Sequence, residues 1–344
     1  MSGGDPEMMV PEEGLEGAQP GRSGPGSGAG HPPLVDPLAW RRAEADLAPE
    51  LARAAMALGR FDGALAMLDG TGLRPGVLSR LAIRETETLL WVAGTPLPAE
   101  DLGRDMMEAR ANSDPEALRA GRWAVRRLQG RGRLQDLRDF LALQAAPDLL
   151  ADLPWRGRAT GAEFDAAETA FRARQAEAEM LHPLTRAAFG EVLWRLSDLS
   201  PEGDVIEPAC WAARAMAGAC EHAGFVPFGT ARRGLRLAGG APAQRLAAWY
   251  GAIATGAREA RTELARLAAW QAQALRMTAR IKGANPARVI AALVATPLVT
   301  PAMVAETAEV SRDTAERLLA RLAGMDLVRE TTGASRFRLW TARL

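Results

Sequence analysis

The sequence predicts a mainly α-helical protein, in which helical bundle-like domains are followed by a C-terminal winged helix-turn-helix with a short β-hairpin wing. Apolar residues recur at helical spacing over most of the chain, and strand patterns are nearly absent before Leu327. In residues 284–344, three helix-start signals are followed by two short strand patterns. This order of elements is typical of a winged helix-turn-helix.

Changes in composition divide the chain into four predicted parts. Residues 1–33 contain nine glycines and six prolines, and such a segment buries too little apolar surface to offset the entropy of ordering, which predicts a disordered tail. An N-terminal helical domain is expected over 34–150, and a second helical region over 160–282. Residues 284–344 are expected to fold independently as the winged helix-turn-helix.

Proline, glycine and aspartate mark the predicted helix ends in the N-terminal domain. Pro75 opens one helix, and Gly94 closes it. Asp114 precedes Pro115 and predicts the start of another helix, because a capping side chain before proline is a strong start signal.

The longest predicted helix precedes residue 284 and carries apolar residues about every 3.5 positions. The members of this seam are Leu246, Tyr250, Ile253, Ala257, Ala260, Leu264, Leu267 and Ala274. Such a seam packs either against the chain's own helices or against a second copy in a coiled coil. Intramolecular packing is favoured, since several seam positions are only alanine, and a homodimer stays open.

Three start signals define the helices of the C-terminal part. They are Asn285 before Pro286, Thr300 before Pro301, and Ser311 as the cap of the third helix, which ends at Gly324. The apolar positions of the third helix are Ala315, Leu318, Leu319 and Leu322. We expect Leu318 and Leu322 to be buried against Val289 and Leu293 of the first helix.

Two short strands are predicted after the third helix, over 327–331 and 336–340, with a turn at 332–335 between them. In the second strand Arg336 and Arg338 alternate with apolar residues, so the two guanidinium groups should leave one face of the wing.

These patterns predict that the protein binds double-stranded DNA with the helix 311–323 and the wing 327–340. The N-terminal part of such a helix enters the major groove. The predicted DNA-binding residues are Ser311, Arg312, Thr314 and Arg317 on the helix, and Arg336 and Arg338 on the wing. Residues 311–344 contain seven arginines and four acidic residues, which gives a net charge of +3. Alternatively, Arg312 with Glu316 and Asp313 with Arg317 are only solvated helix pairs.

The composition of the whole chain limits the other functions. With 42 basic and 42 acidic residues, no global field draws the chain to nucleic acid or membrane, so any attraction to DNA must be local. Cys210 and Cys220 lie ten residues apart on one predicted helix, roughly 15 Å and beyond disulfide reach. We therefore expect a reduced, cytoplasmic protein, and neither a signal-peptide pattern nor a membrane-spanning run is seen.

Residue chemistry does not favour an enzyme. The three histidines, His31, His182 and His222, have no partners at metal-ligand spacing, and His182 and His222 are interpreted as helix-end residues. Neither a metal nor a cofactor is predicted.

The segment 287–340, with Thr-Pro-Leu-Val-Thr-Pro at 296–301 and Thr-Gly-Ala-Ser-Arg-Phe-Arg-Leu-Trp at 332–340, resembles the C-terminal helix-turn-helix domain of a bacterial family of unknown function. In that family a helical N-terminal region precedes this domain. The resemblance extends weakly to 40–128 and 205–270. It implies DNA binding, and it implies no particular substrate, operator or effector.

A second resemblance is to Fic-type proteins, which transfer AMP. Val-Ala-Gly-Thr at 92–95 is similar to their inhibitory helix, with Ala93 in place of the glutamate, and Glu-Pro-Ala-Cys-Trp-Ala-Ala-Arg at 207–214 is similar in place to their catalytic loop. The catalytic histidine and the Gly-Asn-Gly anion cradle are missing. The alternatives to a transcription regulator are therefore a degenerate Fic-type transferase and an adaptor that docks proteins through its winged helix.

Overall fold

The computed structural model describes residues 33–71, 73–107, 113–143, 158–235, 240–331 and 338–344, and these ranges contain fourteen α-helices and one two-stranded sheet. The mainly α fold class is therefore confirmed. The helices are α1 Pro37–Asp46, α2 Ala48–Ala66, α3 Arg74–Val92, α4 Ala99–Met106, α5 Pro115–Leu128, α6 Leu137–Leu141, α7 Gly161–Glu177, α8 Pro183–Arg195, α9 Ile206–Ala217, α10 Arg232–Leu235, α11 Pro242–Thr278, α12 Asn285–Ala295, α13 Pro301–Thr307 and α14 Arg312–Gly324. The strands are β1 Val328–Glu330 and β2 Trp340–Ala342, and short 3₁₀ helices occupy Pro33–Val35 and Gly229–Ala231.

The described residues all belong to one compact unit that spans residues 31–344. The predicted domain boundaries near 150–160 and 282–284 lie inside this unit and stay predictions. The predicted disordered tail lies outside the described residues, apart from Pro33. Within the ranges given above, no helix combines the length and the apolar composition needed to cross a membrane.

Most of the predicted helix ends are confirmed. The Asp114 carboxylate accepts a hydrogen bond from the Glu116 N–H at 3.0 Å, and Pro75 lies in the first turn of α3. Gly94, with φ of 84°, follows the end of α3 in the left-handed region that favours glycine. The short helices α4, α6 and α10 have no counterpart among the predicted helices, since so few residues show no clear period.

The 37-residue helix α11 buries its apolar seam inside the chain. All eight predicted seam residues are buried, and α11 packs on α1, α2 and α12. The preference for intramolecular packing is therefore confirmed. Trp249 and Trp270 extend the buried face, and each indole donates a hydrogen bond to a main-chain carbonyl, that of Leu184 at 3.0 Å and that of Leu327 at 2.8 Å.

Two expectations about the region after α9 are wrong. α9 ends at Ala217, so Cys220 and His222 lie beyond the helix instead of on it. The reason is that the Asp62 carboxylate accepts backbone hydrogen bonds from residues 221–223 at 3.0, 2.9 and 2.8 Å, which holds this segment in a non-helical turn. Burial alone would raise the pKa of Asp62, but these three bonds outweigh burial and lower the pKa.

The core of the C-terminal part forms among α12, α13 and α14. The prediction was wrong at one residue of α14 and at one residue of α12. Leu322 is buried together with Val289 and Leu293, as expected. Leu318 is only half-buried, because Leu319, one position further around α14, points into the core. Asn285 is the first residue of α12 and not its cap, since Ala284 takes the cap position without a side-chain bond.

The second strand of the wing starts later than predicted. It covers Trp340–Ala342, so residues 338 and 339 precede it although the prediction placed them within the strand, and it pairs with β1 so that Glu330 lies opposite Trp340. On its other side, the Trp340 main chain exchanges hydrogen bonds with Val299 at 2.9 and 3.0 Å. Because Trp340 lies between two segments, hydrogen-bonded to Val299 and opposite Glu330 of β1, tertiary pairing fixes the register, which local alternation could not show. The predicted turn at 332–335 lies outside the described residues.

The winged part, residues 285–344, packs closely on α3 and α4. A Cβ added at Gly76 of α3 would overlap the carbonyl of Ala295 at the end of α12, and one at Gly103 of α4 would overlap the Leu298 side chain. Only glycine allows backbones to approach this closely. A larger residue at Gly76 would therefore push α12 away from α3, whereas at Gly103 the Leu298 side chain would have to move.

We expect Leu319→Ala to lower the free energy of unfolding by about 2–5 kcal/mol, because it leaves a cavity in a buried core. Leu318→Ala is the matched control on the same helix, and its effect should be smaller since Leu318 is half-exposed. Urea-induced unfolding followed by tryptophan fluorescence measures both. Equal destabilisation by the two variants would contradict the observed orientation of α14.

Candidate nucleic-acid interface

α13 and α14 form the helix-turn-helix, and the turn between them is fixed by backbone hydrogen bonds. The Ala308 N–H donates to Val304 at 2.9 Å, and the Val310 N–H donates to Ala305 at 2.9 Å. Glu309 adopts φ of 52°, a left-handed conformation that is uncommon for a residue other than glycine. The buried Val304, Ala308 and Ala315 fill the space between the two helices.

Ser311 caps the start of α14, as predicted. Its hydroxyl oxygen accepts the Thr314 N–H at 3.2 Å and lies 2.8 Å from the Thr314 hydroxyl oxygen. The cap satisfies one of the free N–H groups at the helix start, where the helix dipole also favours an anion. Thr300 caps α13 in the same way, through the Met303 N–H at 3.1 Å.

The two predicted arginines of α14 are highly exposed, and within the described part of the chain they are bonded only inside their own helix. Arg312 Nε lies 3.1 Å from Glu316 Oε1, and Arg317 Nε lies 3.2 Å from Asp313 Oδ2. The side chains of Arg312 and Arg317 are 75% and 71% exposed. Exposed pairs of this spacing stabilise a helix by only about 0.3–0.5 kcal/mol, so a phosphate or a base edge could replace the carboxylate at little cost.

The wing contributes one described arginine of the two that were predicted. Arg338 is exposed and the adjacent Leu339 is buried, as the predicted alternation requires. Arg336 lies outside the described residues. Arg329 on β1 is directed to the helical part instead, since its guanidinium lies 3.0 Å from the Glu100 carboxylate of α4.

Acidic side chains surround the same helix-turn-helix. Glu306, Glu309, Asp313 and Glu316 are all exposed, and Glu309 lies 3.7 Å from Arg288. The start of α14 therefore carries two arginines and two carboxylates in balanced charge, and the wing adds the exposed Arg338. Such a surface can bind nucleic acid through specific contacts more than through a broad field.

The sequence segments that resemble Fic-type proteins meet at a different place, a cleft of about 440 Å³. Ala93 and Glu207 both line this cleft. Arg158 lies 2.5 Å from Glu207, whose other oxygen accepts a hydrogen bond from Ser200. Burial raises the pKa of the Glu207 carboxyl to about 7, despite the opposing effect of Arg158. Among the described residues that line the cleft there is no histidine or cysteine to act as base or nucleophile.

The contacts that hold the winged part against the helical part were not found by sequence reasoning. The Arg80 guanidinium of α3 is buried and donates to the main-chain carbonyls of Leu293 and Thr296, the latter at 3.0 Å. A signal was present, because Arg80 lies three residues after Val77 on the buried stripe of α3. No three His, Cys, Asp or Glu side chains within the described ranges are grouped to hold a metal ion.

Comparison with known proteins identifies the C-terminal part. Residues 287–342 match the family model described as "HTH DNA binding domain", which confirms the resemblance seen in the sequence. No curated protein matches the chain. One similar solved structure is the crystal structure of a Fic family protein from Desulfovibrio desulfuricans G20, at 12% identity, 86% coverage of this chain and 96% of that chain, with a TM-score of 0.49. At that TM-score the similarity supports no conclusion about activity. The chain carries a helix-turn-helix DNA-binding domain at its C-terminal end.

The role of Ser311 as a cap gives a test that needs no DNA. Ser311→Ala should lower the free energy of unfolding by about 0.5–2 kcal/mol, because a helix-start N–H is left without its acceptor. Ser311→Asp should keep the stability of the parent, since aspartate caps as well as serine. Thermal unfolding followed by circular dichroism measures both variants. An unchanged stability of Ser311→Ala would show that the cap does not contribute.

Proposed function

We propose that this protein is a cytoplasmic, DNA-binding transcription regulator that contacts double-stranded DNA with the start of α14 and with the wing. One observation carries the proposal: four residues predicted to contact DNA, Ser311, Arg312, Thr314 and Arg317, form a single cluster at the solvent-exposed start of the second helix of a helix-turn-helix. The family match over 287–342 supports the same assignment. In such domains this helix end contacts base edges in the major groove.

The two sets of arginines have different roles in this proposal. Arg312 in the first turn of α14 reads a base edge, and a guanidinium is well suited to the two acceptors of guanine. Arg317, one turn further along, lies beside it. Arg336 and Arg338 on the wing contact phosphates or the minor groove. Phosphate contacts position the protein, whereas base contacts give sequence preference.

The charge of the chain is consistent with a specific binder rather than a general one. Because the chain has no net charge, its attraction to DNA depends on a few local contacts. The neighbouring carboxylates of Asp313 and Glu316 would repel phosphates that are not well placed. Affinity for unrelated sequences should therefore be low, and selectivity should depend on correct docking of α14.

The helical part, residues 34–278, would give the regulator its input. It packs on the winged part through α3 and α11, and α4 contacts Leu298 and Arg329, so a change in the helical part could shift the position of the helix-turn-helix. Effector binding and homodimer formation are both compatible with this role. The adaptor and the Fic-type transferase are the outcomes that remain if DNA binding fails.

DNA binding should be tested with the purified full chain and duplexes selected from a random library. Fluorescence anisotropy at several salt concentrations gives the affinity and the salt slope. Arg336→Ala or Arg338→Ala should weaken binding to every sequence and reduce the slope by about one unit, because one phosphate is no longer neutralised by the protein. Arg312→Ala should cost about 1–3 kcal/mol at one base position of the selected site and little elsewhere.

Two further variants make the test specific. Arg174→Ala removes an exposed arginine that pairs with Glu177 on α7, at 3.1 Å, and should change neither affinity nor slope. Ser311→Asp keeps the helix cap but adds negative charge at the proposed groove-facing end, so DNA affinity should fall while stability is retained. Parent-like affinity of the Arg336, Arg338 and Ser311→Asp variants together would reject DNA binding by this surface. Retention of a partner protein instead would favour the adaptor.

A further inference from the structure

A cavity of about 280 Å³ lies between the winged part and the helical part, away from the start of α14. One side is formed by α3, α4 and α11, and the other by β1 and the segments around Leu298 and Thr341. Its charged lining side chains are Arg80, Arg84, Glu100, Glu263, Arg329 and Arg343. Four guanidinium groups therefore face two carboxylates.

In this cavity Arg84 of α3 is paired with the carboxylate of Glu263, whereas Arg80 of the same helix is not. Arg84 Nη1 lies 3.0 Å from Glu263 Oε2, and the Glu263 side chain is almost completely buried. Arg80 has no carboxylate within ion-pair distance among the described residues, and it donates only to main-chain carbonyls. Its Nε atom is buried without a hydrogen-bond partner in the described part of the chain. A buried donor of a charged group is costly to leave unpaired.

The electrostatic surroundings of Arg80 show the same shortage of negative charge. Burial, opposed by the attraction of Glu263 and assisted by the positive charge of Arg84, lowers the pKa of the Arg80 guanidinium to about 10. On the same wall, Glu100 of α4 is shared by two guanidinium groups, those of Arg104 at 2.7 Å and Arg329 at 3.0 Å.

We propose that this cavity binds a small organic anion through a carboxylate or phosphate group, held by the guanidinium groups of Arg84, Arg329 and Arg343, with the buried charge of Arg80 behind them. Guanidinium groups bind both kinds of oxyanion through paired hydrogen bonds. The volume lies near the lower end of about 300–1,000 Å³ for ligand pockets, so the ligand is of metabolite size. An anion here supplies the negative charge that Arg80 lacks.

A ligand in this cavity would contact the winged part and the helical part at once. It would stabilise the arrangement in which both walls are present, since a ligand shifts an equilibrium only by its difference in affinity for the two states. If the DNA affinity depends on that arrangement, ligand and DNA change each other's affinity by the same factor. Only this regulatory consequence rests on the proposed function.

The site is tested without DNA, so its outcome is independent of the DNA-binding proposal. Isothermal titration calorimetry of the full chain is carried out with succinate, citrate, inorganic phosphate and glucose 6-phosphate, and with chloride at matched ionic strength as reference. The first two probes carry carboxylates and the last two carry phosphate, so the comparison separates the two sources of the anionic group. Arg84→Gln is the test variant, because the Arg84 side chain is 56% exposed and a glutamine amide can still donate a hydrogen bond to the buried Glu263 carboxylate.

Saturable binding of at least one probe is expected, with a rise in the unfolding temperature. Arg84→Gln should weaken that binding about tenfold or more, since it removes a hydrogen bond to a charged group. Arg53→Gln is the control, because Arg53 is an exposed arginine on α2 that does not line the cavity, and it should bind like the parent. Probes that act no differently from chloride, or an Arg84→Gln variant that binds as tightly as the parent, would overturn the proposal.

Discussion

The buried guanidinium of Arg80 is the interaction on which the arrangement of this molecule depends. A charged group in the interior must find acceptors, and Arg80 finds them in the carbonyls of Leu293 and Thr296 at the end of α12. A helix end offers carbonyls without intrahelical partners and a partial negative charge, so it suits an arginine. The winged part is therefore held in the position in which the end of α12 lies against α3. Gly76 allows this close contact, and the indole of Trp270 on α11 adds a second attachment through the carbonyl of Leu327.

This docking leaves a defined part of the helix-turn-helix available to a partner. Contacts with the helical part come from the end of α12, from Leu298 and from the base of the wing. Within the described residues, the cluster at the start of α14 makes its hydrogen bonds and ion pairs only inside α14 and its cap. α14 is stabilised locally by a serine cap and by exposed charged pairs. These are therefore the features that a bound DNA would contact.

Local signals were sufficient to predict most of the C-terminal part, because proline starts, caps and the apolar period act within one helix. They predicted α13, α14 and the Ser311 cap, and the seam of α11. Non-local contacts decided the remainder. The late start of β2 results from the pairing of Trp340 with Val299, and the inward side of α14 is set by Leu319 rather than Leu318. The docking through Arg80 depends on a carbonyl more than two hundred residues away along the chain, which no window of sequence contains.

The central claim is that DNA meets the start of α14 while the winged part stays docked on the helices below it. Hydrogen–deuterium exchange of the full chain, with and without a bound duplex, tests it most directly. Exchange should slow in residues 308–317, where backbone N–H groups at the turn and the helix start become covered, and should stay unchanged in α7. Slowed exchange confined to the helical part, or no change anywhere in 285–344, would contradict it.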